Sequence, residues 1–225
     1  MSNDAPNCWL TRAIITPRTL FSRGIRDAYA WHQLVWQAFP GRDGTTRDFL
    51  TRLDDKPGGA QLLIVSPVEP SRPDWLGATD SWESKPIPPA YFQARRYRFQ
   101  LRANPTHKPV KGADGQYIAD AKKRKRRAIT GDDELAAWLR RKGEGGGFRL
   151  CESVPLEIWC TAQRFEKRRD GEVRQCGVHA AVDFSGVIEI VDCALFLSAT
   201  FSKGIGSAKA FGFGLLVLAP LERPD

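Results

Sequence analysis

Apolar positions recur along this chain with two different periods, and in the first ninety residues they set out a familiar order of elements. Residues 9–16 form an apolar, partly β-branched run that stops at Pro17, which predicts a strand. Residues 26–39 contain neither Gly nor Pro and are closed by Pro40 and Gly41, which predicts a helix. Ala28, Trp31, Val35 and Ala38 share one stripe of that helix, and Leu34 widens it. Strand patterns at 47–53 and 60–66 flank Asp-Asp-Lys-Pro-Gly-Gly, a hairpin signal. The second of them, Gln-Leu-Leu-Ile-Val-Ser, is continuous enough for a central strand. A proline-rich connection follows, with one short helical turn expected around Arg72-Pro-Asp-Trp-Leu. Strand, helix, strand, strand, weak helix, strand is the order of a ferredoxin-like unit, ending near residue 90.

The second half shows a similar order. Residues 94–103 alternate, with Tyr97, Phe99 and Leu101 on one side and Arg96, Arg98, Gln100 and Arg102 on the other. This predicts an edge-like or solvent-facing strand with a basic face. Residues 130–142 predict a helix with Thr130 as N-cap, acidic residues in the first turn, basic residues in the last and Gly143 just beyond. Its buried stripe is Leu135, Trp138 and Leu139. Strands at 157–165 and 175–184 flank Asp170-Gly171, another hairpin signal, and a short strand is expected at 186–191. Asp192 is the expected N-cap of a helix over 193–201.

Composition adds a partner class. The 225 residues carry a net charge of +8, which favours a polyanion without choosing among RNA, DNA and an acidic membrane. No apolar run approaches the roughly 18–20 residues that span a bilayer. Residues 1–7 have neither a basic nor an apolar leader segment, so no signal peptide and a cytoplasmic location are expected. Five scattered cysteines, never in Cys-x-x-Cys spacing, argue against a disulfide framework or a zinc site. They are expected to be reduced and to serve as small apolar residues.

Four clusters carry candidate chemistry. The stretch 202–214 holds Gly204, Gly206, Gly212 and Gly214 with Lys203, Ser207 and Lys209 among them. Such a loop can point several N–H groups at a phosphate, although a tight helix-to-strand connection would also use glycines. It lacks the order of a nucleotide P-loop and the context of a dinucleotide fingerprint. Residues 122–127 are six consecutive basic residues, and the hairpin around Asp170-Gly171 adds Arg164, Lys167, Arg168, Arg169 and Arg174. Both read equally well as solvated charge. On the first helix, His32 lies three positions after Tyr29 and four before Trp36, so the three adjoin on one face. A lone helical histidine is more often structural, and so is His179 in its apolar strand.

The run Gly-Ile-Gly-Ser-Ala-Lys-Ala-Phe-Gly-Phe-Gly-Leu-Leu resembles the C-terminal glycine-rich loop of the CasE family, the CRISPR-associated endoribonucleases of type I-E systems. Phe-Gln-Leu-Arg-Ala-Asn-Pro at 99–105, Gly-Gly-Phe-Arg-Leu at 146–150 and His-Gln-Leu-Val-Trp-Gln-Ala-Phe-Pro at 32–40 resemble the same family. The resemblance covers residues 9–220 and implies an α+β protein with tandem ferredoxin-like (RRM-like) domains, 1–90 and 91–225. It implies a metal-independent endoribonuclease without cofactor, cutting precursor CRISPR RNA at the base of the repeat hairpin and remaining bound to it. His32 and Tyr29 are then the expected catalytic residues. Arg102, Lys125, Arg126, Arg127, Arg164, Lys167, Arg168, Arg169, Lys203, Gly204, Gly206, Ser207 and Lys209 are the expected RNA contacts. Expected partners are the repeat hairpin and other subunits of a type I-E surveillance complex, with no membrane. The basic residue that some relatives carry one turn beyond the histidine is replaced here by Gln37. A non-catalytic RNA-hairpin-binding subunit on the same fold is the alternative.

Overall fold

The computed structural model describes residues 8–25, 28–42, 45–111, 116–120, 122, 125–169 and 172–221. The first sheet is built from β1 (Trp9–Ile15), β2 (Leu50–Lys56), β3 (Gly59–Ser66) and β4 (Ser81–Pro86), all antiparallel, in the order β2-β3-β1-β4. Between β1 and β2 lie α1 (Pro17–Ser22), which the sequence pattern did not announce, and α2 (Ala28–Trp36). Helix α2 buries Trp31 and Val35 against Ala13, Ile15, Leu62 and Ile64 of the sheet. Trp75 locks the helix from the side: its ring meets Trp31 edge-on at 5.9 Å and its Nε1 donates to the Leu34 carbonyl. The β3–β4 crossover has no helix. The turn expected at 72–76 is a single Leu76 N–H to Pro73 carbonyl bond. This crossover is pinned instead by the buried Asp80 carboxylate, which accepts from Thr16 N, Thr16 Oγ1 and Gly77 N at 2.8–2.9 Å. Burial pushes that carboxyl up, but these bonds outweigh it and hold the pKa below the ordinary aspartate value.

The second sheet starts at β5 (Arg96–Ala103). A small ribbon of β6 (Thr106–His107) and β7 (Arg127–Ala128) follows, then α3 (Asp132–Glu144) and β8 (Phe148–Leu150). Next come the long pair β9 (Glu157–Arg169) and β10 (Glu172–Ile190). Helix α4 (Cys193–Leu195) continues as wider π-type turns over Phe196–Phe201, and β11 (Leu216–Pro220) ends the sheet. The order is β11-β5-β10-β8, with β9 on the same edge of β10 as β8 but further along it. Counting β8 and β9 as one broken strand, both sheets run fourth, first, third, second. The chain is therefore a tandem pair of ferredoxin-like units.

Several local expectations are corrected. β5 alternates in burial as expected but is interior, lying between β11 and β10. The strands expected at 175–184 and 186–191 are one strand, because Gly186 pairs with Phe99 without a break. The N-cap of α3 is Gly131 at φ +90°, not Thr130. The helix also runs through Gly143 to Glu144. An added Cβ at Gly143 would lie 2.4 Å from the Phe148 carbonyl oxygen, so this glycine serves close packing against β8 rather than helix termination. Asp192 does cap α4, accepting from Leu195 N at 2.9 Å. Of the five cysteines, Cys8 is in the core, whereas Cys160, Cys176 and Cys193 are exposed.

β3 reads as continuously apolar because both of its faces are covered. Leu62 and Ile64 face α2, while Leu63 and Val65 join Leu50 in one core with Phe99, Leu101 and Leu216 of the second sheet. At the rim of that shared core four charges interlock. Arg52 Nε holds Asp54 at 2.9 Å, Arg102 Nε holds Asp183 at 3.0 Å, and Arg102 also reaches Asp54 at 3.5 Å. Arg102 Nη1 further donates to the Leu53 carbonyl of β2. Arg102 therefore ties the second sheet to the edge strand of the first. Replacing Arg102 by Ala is expected to cost roughly 1.5–3 kcal/mol of stability, since charged acceptors lose their donor. Arg102→Lys should recover only part, because an ammonium does not reproduce the planar fork. Urea unfolding of the two variants checks both statements.

Candidate active site and nucleic-acid interface

α2 projects His32 from the face that is not buried on its own sheet. The ring is half-buried and lines a cleft between the two units with Thr51, Leu53, Arg102, Gln163 and Phe211. One wall is thus the edge strand β2, one is the middle of β9, and one is the short turn Lys209–Phe211 inside the glycine-rich loop. His32 Nε2 accepts a hydrogen bond from Trp36 Nε1 at 3.2 Å, the consequence of i,i+4 spacing on a helix. An imidazole that accepts at Nε2 carries its proton on Nδ1. Burial, and then the positive charge of Arg47, hold the His32 pKa below its ordinary value of 6.5. The ring is therefore neutral at pH 7. Tyr29 lies one turn earlier on α2; its side chain is outside the described residues, as are those of Arg164, Lys167, Arg168 and Arg169.

The glycine-rich loop is fixed from several sides. The N–H groups of Gly204, Ile205, Phe211, Gly212 and Gly214 all go to carbonyls of the chain; that of Gly214 reaches Arg102. Gly204 at φ +72° sits so close to Leu50 and the Gly214 carbonyl that a Cβ would approach both to 2.8 Å. Gly206 at φ +89° faces the Trp138 ring of α3. The expectation that the whole loop offers N–H groups to phosphate is thus narrowed. Among the described residues of the loop, the consecutive N–H groups of Gly206, Ser207 and Ala208 are among those that meet no backbone acceptor. Ala208 holds φ +59°, a left-handed conformation unusual for a residue with a Cβ. Successive N–H groups around such a residue form a concavity suited to an anion.

Cations gather around that concavity. Lys209 is half-buried, and its pKa is lowered by burial and by Arg47, Lys142 and Lys203. Lys142 also lies 5.8 Å over the Trp138 ring. On the other side, Arg126 Nη1 donates to Thr106 Oγ1, which meets Ser207 Oγ at 3.4 Å, and Ser207 Oγ donates to the Asn104 carbonyl. The Asn104 amide nitrogen lies 3.1 Å from His179 Nδ1, and the His179 ring packs on Phe211 at 4.7 Å. A chain of contacts thereby links Arg126 and Ser207 through Asn104 and His179 to Phe211, which lines the cleft with His32. Lys125, Arg127 and Lys203 are exposed. Arg102 lines the cleft, but its guanidinium is held by Asp183, Asp54 and the Leu53 carbonyl. Sequence reasoning missed Arg47 and Gln163, which come from distant segments and belong to no local pattern.

A double ferredoxin-like protein with a neutral histidine beside a basic, glycine-lined surface is a fold and site suited to RNA. Comparisons narrow this. Residues 8–220 match the family model described as CRISPR associated protein. The chain is 31% identical over 223 residues to the CRISPR-associated endoribonuclease Cse3 of Thermus thermophilus, covering 94% of this chain and all of that one. It is 32% identical over 201 residues to the Cascade subunit CasE of Escherichia coli, covering 87% and 94%. It also resembles the solved structure of the Thermus Cse3 bound to RNA representing a pre-cleavage complex. There the TM-score is 0.71 and the identity 32%, with 95% of this chain and all of the other aligned. This chain belongs to the CRISPR-associated protein family that includes Cse3 and CasE.

The Trp36–His32 bond stabilises the neutral ring. Trp36→Phe keeps the aromatic contact to Phe49 and removes the donor, so the His32 pKa should rise toward 6.5. With three histidines in the chain, NMR titration of the ring protons can follow His32 directly.

Proposed function

We propose that this chain is a metal-independent endoribonuclease that cuts precursor CRISPR RNA at the base of the repeat hairpin and stays bound to the product. The observation that carries this reading is the placement of His32. Its ring lines the cleft between the units rather than the core, and it is neutral beside cations and the glycine-rich loop. The family relationship supplies the substrate class, since relatives are named as CRISPR-associated endoribonucleases and as a Cascade subunit.

In the proposed reaction the ribose 2′-OH attacks the adjacent phosphorus in line. The O2′–P bond forms, the P–O5′ bond breaks, the 2′ proton leaves to a base and a proton reaches O5′. Products are a 2′,3′-cyclic phosphate, or a 3′-phosphate after hydrolysis, and a 5′-OH. His32 serves as a proton-transfer group, and neutrality at pH 7 suits it to accept the 2′ proton. Tyr29 is assigned to position the scissile phosphate. Gly206, Ser207 and Lys209, with Lys203 and Gly204 around them, hold phosphates near the cut. Lys125, Arg126 and Arg127 and the hairpin residues Arg164, Lys167, Arg168 and Arg169 grip the stem, with Arg102 as the domain tie beneath. The bound product joins other subunits of a type I-E surveillance complex. No helix among the described residues is long and apolar enough to cross a membrane.

The test is single-turnover cleavage of a labelled type I-E repeat hairpin with EDTA present. One cut 3′ of the stem is expected, with His32→Ala slower by about 10²–10⁴-fold at unchanged affinity. RNA with a 2′-deoxy at the cleavage position should bind and stay intact. Because burial and Arg47 lower the His32 pKa in the free protein, the acid limb of kcat/KM should lie below 6.5. Binding by wild type without any cut would instead assign a non-catalytic hairpin-binding role.

A further inference from the structure

Transition-state charge in such a reaction needs a cation at the phosphate, and α2 supplies none: Gln37 follows His32 at the next turn, and the helix has no basic residue in its last turn. Arg47, from the segment entering β2, is placed to do this. Its guanidinium lies 5.9 Å from the centre of the Phe49 ring. Phe49 meets Trp36 edge-on at 4.9 Å, and Trp36 donates to His32. Phe49 also stacks on Phe39 at 4.4 Å, so the shelf beneath Arg47 is rigid. Arg47 Nη1 is buried and has no hydrogen-bond partner among the described residues, and no carboxylate there forms an ion pair with Arg47. A buried, unpaired guanidinium donor is costly and calls for an acceptor.

We infer that Arg47 is the cation of the catalytic site, donating to the non-bridging oxygens of the scissile phosphate opposite His32. This rests on the ribonuclease reading and names a group that the sequence alone did not offer. The charge of Arg47 is felt at both His32 and Lys209, so it lies near the histidine and near the glycine-rich loop. A guanidinium keeps its charge throughout, so it takes no part in proton transfer and contributes through charge and paired N–H donors. The excess negative charge on the five-coordinate phosphorane oxygens strengthens those contacts in the transition state over the ground state.

The experiment measures single-turnover cleavage of the repeat hairpin by wild type, Arg47→Gln, Arg47→Lys and His32→Ala. Affinity is read separately with the uncleavable 2′-deoxy RNA, and the melting temperature is recorded for each protein. Arg47→Gln is expected to lose about 10²–10³-fold in rate, the scale of one removed transition-state donor, with affinity changed by less than about threefold. Arg47→Lys should recover roughly tenfold of that loss, since charge returns without the fork. The acid limb of the pH–rate profile should move up in Arg47→Gln, as one cation facing His32 is gone. The other charged groups there, Lys209 and the Asp183-bound Arg102, are unchanged. If Arg47→Gln fails to fold, Arg47→Met, which keeps the apolar stem, takes its place. Cleavage by Arg47→Gln within about threefold of wild type, with His32→Ala inactive, would overturn the inference and leave the ribonuclease reading standing. A rate loss matched by an equal loss of affinity would overturn it as well, because the contact would then be uniform binding. No cleavage by wild type would sink both.

Discussion

The candidate site exists only while the two ferredoxin-like units are held together, and the Arg102 clamp is the interaction on which that depends. An edge strand with free N–H and C=O groups is ordinarily a liability, and β2 is the edge of the first sheet. Arg102 takes one of its carbonyls, at Leu53, and the glycine-rich loop lies against Leu50 and Thr51. The same arginine's backbone carbonyl accepts from Gly214, so one residue fixes both the domain interface and the end of the loop. The paired carboxylates Asp54 and Asp183 keep four interlocked charges close to neutral. Without them the rim would add two cations to an already basic cleft.

Much of this arrangement was legible in the sequence where local physics decides it. The stripe of α2, the alternation of β5, the Asp-Gly signal between β9 and β10 and the cap at Asp192 all report short-range constraints. What was not legible depends on distant partners. β3 reads as a central strand, but only the tertiary structure shows that its second face is covered by another domain. β5 carries arginines that suggest an exposed edge, yet Arg102 is turned to an interdomain role by Asp183, eighty-one residues away. Gly143 looks like a helix terminator and instead admits the Phe148 backbone. At the site, the helical spacing of His32 and Trp36 could be read directly. Arg47 could not, because its neighbours come from α2 and the C-terminal loop.

The glycine-rich loop combines two uses of glycine. Gly204 is required by contact with Leu50 and the Gly214 carbonyl, and it makes the loop a fixed object rather than a flexible one. Gly206 is required by its own positive φ beside Trp138. Just beyond these constraints the chain passes through Ala208 in a left-handed conformation, a strained choice for alanine. The result is a constrained stretch beside the region where Lys209, Lys142 and Lys203 concentrate positive charge. Donors preorganised in such a stretch do not have to reorient when a phosphate arrives.

Positive charge also acts on the histidine. Burial disfavours imidazolium at His32 and the charge of Arg47 adds to it, so the ring is held neutral. A bound phosphodiester brings negative charge to the same place and offsets the repulsion from Arg47. In the proposed reaction the pKa of His32 then rises on binding, and the imidazolium formed by taking up the 2′ proton is better tolerated with RNA present than without it. On that proposal the basic surface takes part in the proton-transfer chemistry as well as in affinity: it sets His32 against protonation by water while leaving protonation by the substrate accessible.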